Sequence, residues 1–302
     1  MKINKLFLVG LVTTSVVFSS CSKEDSNLPE QTPIALSSGI DMGIAPTRAM
    51  QETQIALNEK LSLFINKASG VNMYENIEIT ANGSGGFTHT PLYYPMDGSN
   101  IDIYAVHPYS SSASLSAAIP FSVQEDQTTT AGYLASDLLY ATQTNVARNA
   151  NAIPLTFAHK LTQLEFTIKK STGSDLTNLQ TVTINGMKGS TTITVPTGAL
   201  GEATGSAVSI QANGVHGTEE GETEVSGITA IVVPQTVATG VKLFKIGIGG
   251  IDYFYTTTSP LTFENGKKYN LQLTINQTGI ELESVIEAWG EGDTIIGEGE
   301  AE

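Results

Sequence analysis

Leu161-Thr162-Gln163-Leu164-Glu165-Phe166-Thr167-Ile168-Lys169 decides the fold class. Leu164, Phe166 and Ile168 recur at every second residue, the spacing that lines one face of an extended strand. A surface helix would repeat its apolar residues at three and four. Working outward, Tyr269-Asn270-Leu271-Gln272-Leu273-Thr274-Ile275 alternates in the same way, and Asn100-Ile101-Asp102-Ile103-Tyr104-Ala105-Val106-His107 begins so. Leu61, Leu63 and Ile65 alternate within Lys60–Asn66. Further short strands are expected at Asn76–Thr80, Ile119–Gln124, Thr181–Asn185, Thr191–Val195, Gly227–Val233, Val241–Ile248, Asp252–Thr256 and Ile280–Ile286. Gly249-Gly250 reads as a hairpin turn, and Asn82-Gly83-Ser84-Gly85-Gly86 as a glycine-rich turn. Helical periodicity is confined to a short candidate at Tyr133–Leu138. Many strands at short spacing predict an all-β chain of β-sandwich domains, divided between Asn149 and Ala158.

The composition agrees. Of 302 residues only 15% are charged, Trp occurs once, and long helices usually carry more charge than this. The net charge is −15, from 15 basic and 30 acidic side chains. Such a balance argues against nucleic acid, which is bound through clustered Lys and Arg. It argues equally against a basic patch for anionic membrane.

Few residues suggest catalysis. His89, His107, His159 and His216 are far apart and lack metal-ligand spacing. His159, at a strand entrance, reads as a structural residue. No nucleophile elbow, zinc-protease motif or dinucleotide loop is present in the sequence. The glycines at 83–86 lack the Gly-Lys-Ser/Thr ending of a phosphate loop. Asp97-Gly98-Ser99-Asn100-Ile101-Asp102 offers oxygens without the twelve-residue calcium spacing, and Glu219-Glu220-Gly221-Glu222-Thr223-Glu224 reads as a solvated run. Paired carboxylates meeting only in the fold stay open, but no enzyme, metal or cofactor is expected.

The N-terminus is more specific. Lys2 and Lys5 precede the apolar run from Leu6 to Phe18, followed by Ser19-Ser20-Cys21. A basic start, a short apolar segment and small residues describe an export signal, too short to span a bilayer. Cys21, the sole cysteine, is expected to become the acylated N-terminus of a lipoprotein. Acylation leaves no thiol for a disulfide, a zinc site or catalysis. Loss of residues 1–20 removes two lysines and no acid, which makes the chain still more negative. Residues 22–48 read as a tether interrupted by Pro29, Pro33 and Pro46, with a candidate strand at Ile34–Ile40. Arg48, in Ala45-Pro46-Thr47-Arg48-Ala49-Met50, is the first basic residue after Lys23 and a candidate protease site.

Several ordered segments together resemble the fimbrillin (Mfa-like) family, the type V pilin and adhesin lipoproteins of Bacteroidales. They are Thr47-Arg48-Ala49, Tyr93-Tyr94-Pro95, Ser136-Asp137-Leu138-Leu139-Tyr140-Ala141, and Leu155-Thr156-Phe157-Ala158-His159-Lys160-Leu161-Thr162-Gln163-Leu164-Glu165-Phe166. Asn265-Gly266-Lys267-Lys268-Tyr269-Asn270-Leu271 and Ile286-Glu287-Ala288-Trp289 complete the set. The resemblance implies two tandem β-sandwich domains with transthyretin-like topology. It divides the chain into a signal peptide (1–20), a lipidated leader with a removable strand (21–48), an N-terminal domain (49–157) and a C-terminal domain (158–302).

It further implies a lipid anchor at Cys21 in the outer membrane and display on the cell surface or in a fimbrium. Lys23-Glu24-Asp25 is similar to a surface-export signal of this phylum, and Asp293-Thr294-Ile295 to its O-glycosylation motif. An Arg-specific protease would cut between Arg48 and Ala49 and free a groove filled by Ile34–Ile40. A neighbouring pilin subunit, donating Ile280–Ile296, would fill it. The acidic, glycine-rich end from Gly290 onward departs from a good donor strand. Besides other pilins, the implied partners are the protease and a host or bacterial surface ligand. The alternative is a monomeric surface lipoprotein that binds glycan or a host ligand.

Overall fold

The computed structural model describes residues 31–40, 54–276, 279–288 and 298–299. In the first half the elements are β1 (Leu36–Ile40), β2 (Lys60–Lys67), β3 (Asn72–Ala81), β4 (Phe87–Thr88), β5 (Ile101–His107), β6 (Ile119–Ser122), helix α1 (Thr130–Ala135), β7 (Leu139–Val146) and β8 (Ile153–His159). There follow β9 (Thr162–Lys170), β10 (Leu179–Thr194), β11 (Ala199–Leu200), β12 (Thr204–Gln211), β13 (Glu224–Val232) and β14 (Gln235–Val237). The last are β15 (Lys242–Ile248), β16 (Ile251–Thr256), β17 (Leu261–Phe263), β18 (Lys267–Ile275), β19 (Ile280–Ala288) and β20 (Glu298–Gly299). The fold is all-β, as the alternation predicts.

Among the described residues three large sheets carry the structure, and β14 pairs with β17 in a small fourth. The first runs β1-β8-β7-β5-β2-β3-β4. The second runs β11-β10-β15-β16, with β12 and β6 also paired to β10, and the third runs β13-β9-β18-β19-β20. In the third, the founding stretch at 162–170 lies between β13 and β18, and Leu164, Phe166 and Ile168 are buried together.

The alternation in β2 and β5 has a consequence on both faces. Leu61, Leu63, Ile65, Ile101 and Ile103 point into one core, which also holds β1 and β8. Phe64, Tyr104 and Val106, on the opposite parity, pack into the larger core shared with the second and third sheets. The central strands of the first sheet are therefore covered on both sides, so no face of them reads as solvent.

Two expectations change. Thr181–Asn185 and all of Thr191–Val195 but its last residue belong to one 16-residue strand, β10. Gly186 and Gly189 sit where the register shifts, and Gly186 takes φ +74°. An extra residue is absorbed as a bulge while the strand continues. Its far end, Ser190–Ile193, pairs with Ser122–Ile119 of β6 and so ties the first half to the second sheet. The helix lies at Thr130–Ala135, three residues earlier than expected, because Thr129 caps it by accepting the Gly132 N–H at 3.1 Å.

Gln127 supplies a missing strand partner. Fully buried, it donates through Nε2 to the Ile231 carbonyl and accepts the Ile231 N–H, each at 2.8 Å, on the outer edge of β13. Gln127→Ala leaves both backbone groups unpaired and is expected to cost about 2–4 kcal/mol in denaturant unfolding.

Candidate functional site: the seat of the first strand

β1 is held on both flanks. On one side it pairs parallel with β8, in register from Leu36↔Ile153 to Ile40↔Phe157. On the other, Ile34 N–H donates to Leu92 O at 2.8 Å, Ser38 N–H to Gly85 O at 2.8 Å and Tyr94 N–H to Thr32 O at 3.0 Å. Arg148 Nε donates to Thr32 Oγ1 at 2.6 Å and fastens the approach to the strand.

Alternation in the two strands explains the fit. Ile153, Leu155 and Phe157 of β8 are buried while Pro154, Thr156 and Ala158 are exposed. Ile34, Leu36 and Ile40 retain only 2%, 7% and 7% of their exposure and enter the same core, with Ser38 half-buried on the same parity. The glycine-rich turn forms the opposite wall. Asn82 Oδ1 accepts the Ser84 and Gly86 N–H groups, and Gly83 and Gly85 take φ +68° and +79°. A Cβ on Gly85 would lie 3.4 Å from Ser38 O, so the turn admits the β1 backbone by lacking side chains. Sequence reading marks this turn but misses its role, because its partner is more than forty residues away.

The support behind β8 is thin. β7 pairs with β8 at two positions, Leu139↔His159 and Tyr140↔Ala158. Farther along, Gln143 Nε2 reaches Pro154 O at 3.0 Å in place of a strand. Over residues 153–157, β1 is thus the strand that satisfies the β8 backbone. An emptied seat leaves those groups and an apolar floor open, a strong template for another strand.

Cys21, Arg48, Ala49, Trp289 and Asp293–Ile295 lie outside the described residues, as does the end of the expected donor beyond Ala288. On either side of the Arg48 segment, Ile40 and Ile55 enter the same core. The described part of the expected donor is β19, which pairs antiparallel with β18 from Ile280↔Ile275 to Ala288↔Lys267. Ile280 and Leu282 are buried in the larger core of their own chain.

The conspicuous polar motifs meet elsewhere. His107 donates from Nδ1 to the Asp137 carbonyl at 2.7 Å, and its Nε2 lies 2.8 Å from Glu59 Oε2. His159 Nδ1 lies 2.8 Å from Asp137 Oδ1, with both side chains nearly buried. Nearby, Thr162 Oγ1 donates to Glu264 O, and Gly266 N–H to Leu161 O. Lys268 pairs with Glu165 across β18 and β9. The segments around Asp137, His159 and Gly266 therefore form one clamp where the first sheet passes into the third, and each group is occupied by a neighbour. His89 and His216 bond to the nearby carbonyls of Thr90 and Gly214. Asp97 is engaged by Lys67 at 2.7 Å and by Ser99 N–H, and the Lys67 hydrogen bond holds its carboxyl well below the usual range. Among the described residues no group of three His, Cys, Asp or Glu side chains is placed to hold a metal.

Residues 47–289 match the family model described as fimbrillin-like. The chain belongs to the fimbrillin-like family. This is a fimbrial and adhesive family, not one of enzymes. The fimbrillin-like chain is 28% identical, over 96% of both proteins, to a Bacteroides uniformis protein described as the fimbrium subunit Fim1C. Its fold is similar to that of a solved B. uniformis protein described as a cell adhesion protein, with TM-score 0.64 and 22% identity over 85% of this chain and 98% of the other. A Bacteroides ovatus structure of the same description gives TM-score 0.64 and 20% identity over 87% and 100%. The tip fimbrial protein Mfa3 of Porphyromonas gingivalis gives 0.54 and 9% over 86% and 100%.

Proposed function

We propose that this fimbrillin-like protein is a fimbrial subunit or surface adhesin that assembles by strand exchange after proteolysis. Cys21 carries the lipid that holds the exported precursor at the outer membrane, and the cut falls between Arg48 and Ala49. The strand Ile34–Ile40 then leaves its seat on the N-terminal domain, residues 49–157. A neighbour's C-terminal segment enters, donated by the domain of residues 158–302. Head-to-tail exchange of this kind does not close and so builds a fibre.

One observation carries the reading. The seat faces Ile34, Leu36, Ser38 and Ile40, and the same four residues recur at the same spacing as Ile280, Leu282, Ser284 and Ile286. Read along an extended chain, either set presents Ile, Leu, Ser and Ile to a groove. β19 also lies near the outside of its sheet: among the described residues, β20 pairs with it at Leu282 and Glu283.

The test treats the exported protein with a trace of Arg-specific protease, then combines N-terminal sequencing with native sizing. A new terminus at Ala49 with ladders of oligomers is expected. A cut chain that stays monomeric argues for a tip or adhesin in place of a shaft subunit. Resistance at Arg48, with Cys21 still terminal, overturns the maturation scheme.

A further inference from the structure

We infer that β1 is a weak occupant of its own seat and that Gly39 is the residue that makes it weak, biasing exchange toward the incoming strand. This rests on the strand-exchange reading and adds to it a direction.

Glycine in a strand usually answers to a steric need. Gly186, Gly189 and Gly247 all lie in strands, and a Cβ on any of them would strike a side chain within 3 Å, at 2.6, 2.9 and 2.5 Å. Gly83 and Gly85, in the facing turn, need positive φ. Gly39 answers to neither. Its φ is not positive, and among the described residues a Cβ built on it meets nothing within 4 Å. It pairs with Thr156 in the regular part of the ladder, where nothing in the fold asks for a missing side chain. What glycine does there is loosen the strand, since it retains more backbone freedom when detached than any other residue and is disfavoured in strands.

The competing segment differs at this point. Where β1 has Ile34-Ala35-Leu36-Ser37-Ser38-Gly39-Ile40, the C-terminal strand has Ile280-Glu281-Leu282-Glu283-Ser284-Val285-Ile286. The groove-facing residues are identical, and Gly39 is answered by Val285, one of the best strand formers. The seat therefore recognises both strands by the same four side chains, and the outward position distinguishes them by backbone preference. A resident strand as strong as its replacement would leave exchange without a driving force once Arg48 is cut.

The test needs neither a cut nor assembly. Amide hydrogen exchange is measured on the intact exported chain, with Gly39→Val and Gly39→Ala beside it. Ile153 N–H, which donates to Ala35 O at 2.9 Å, and Ser38 N–H, which donates to Gly85 O, report opening of β1. Ile231 N–H, bonded to Gln127, reports the remote core. Gly39→Val is expected to slow exchange at Ile153 and Ser38 about fivefold and leave Ile231 unchanged. Gly39→Ala, whose added carbon enters open space, slows the same two amides about twofold.

A second readout follows displacement of β1 from the Arg48-cut chain by a synthetic peptide of residues 279–288, which Gly39→Val slows by a similar factor. Unchanged or faster exchange at Ile153 in both variants overturns the inference and leaves protease-triggered assembly standing. Slower exchange at Ile153, in a chain that the protease neither cuts nor assembles, upholds the weak seat and sinks the assembly scheme.

Discussion

Leu36→Asp is expected to empty the seat of β1 without any cut in the chain. Leu36 is buried in the core that β8 floors, and its removal forfeits about 2–3 kcal/mol of apolar burial. The aspartate adds a larger penalty, because Leu36 lies opposite Ile153 inside an apolar core, where an unpaired carboxylate is not held. β1 then detaches, since the strand is tied at its flanks mainly by backbone bonds that water can replace. Ile153 N–H is expected to lose its protection, and the leader to become sensitive to proteases of broad specificity. Oligomers are expected on native gels without Arg-specific cleavage, because the open seat can receive a neighbour's Ile280–Ile286 as that strand leaves β18. A monomeric variant whose β1 amides stay protected would contradict the role given to the seat.

Asp137→Ala is expected to produce the largest loss of stability outside the apolar cores. Asp137 is nearly buried and accepts from His159 at 2.8 Å, while its own carbonyl accepts from His107. Removing the carboxylate leaves a buried imidazole without that partner and a cavity beside it. Losing a buried hydrogen bond to a carboxylate and opening a cavity beside it together cost about 3–4 kcal/mol. For a chain of this size, at about 2–4 °C per kcal/mol, the melting temperature falls by roughly 10 °C. Cleavage at Arg48 is expected to proceed as before. The measurement separates two roles for the segments Ser136–Ala141 and Leu155–Phe166: a clamp between sheets loses stability, whereas a ligand site would lose binding and keep its melting temperature.

How much was legible follows from how far each property reaches along the chain. Strand identity is local. Leu164, Phe166 and Ile168 declare an extended segment with one buried face, whatever they pack against. The period of two at Leu61–Ile65 and Ile101–Ala105 likewise foretold a buried face. It did not foretell that Phe64, Tyr104 and Val106 would be buried on the other, because the second layer comes from residues far downstream. The helix at Thr130–Ala135 was displaced in the reading because Tyr133 and Leu134, which it buries, stand out more than its cap, Thr129. β10 spans two stretches that read as separate strands, because the bulges at Gly186 and Gly189 interrupt the local pattern while the partners β12, β15 and β6 keep the strand continuous.

By itself, the sequence determined the all-β class, the positions of most strands and the family. Those follow from side-chain parity and from ordered motifs, which are properties of neighbouring residues. The tertiary structure decided the rest. It brought Ile34–Ile40 between β8 and the glycine turn at 82–86, drew Glu59, His107, Asp137 and His159 into one clamp, and left room among the described residues for a side chain at Gly39. Backbone pairing carries no code in the individual residue, so which strand lies beside which is settled only when the whole chain closes its cores.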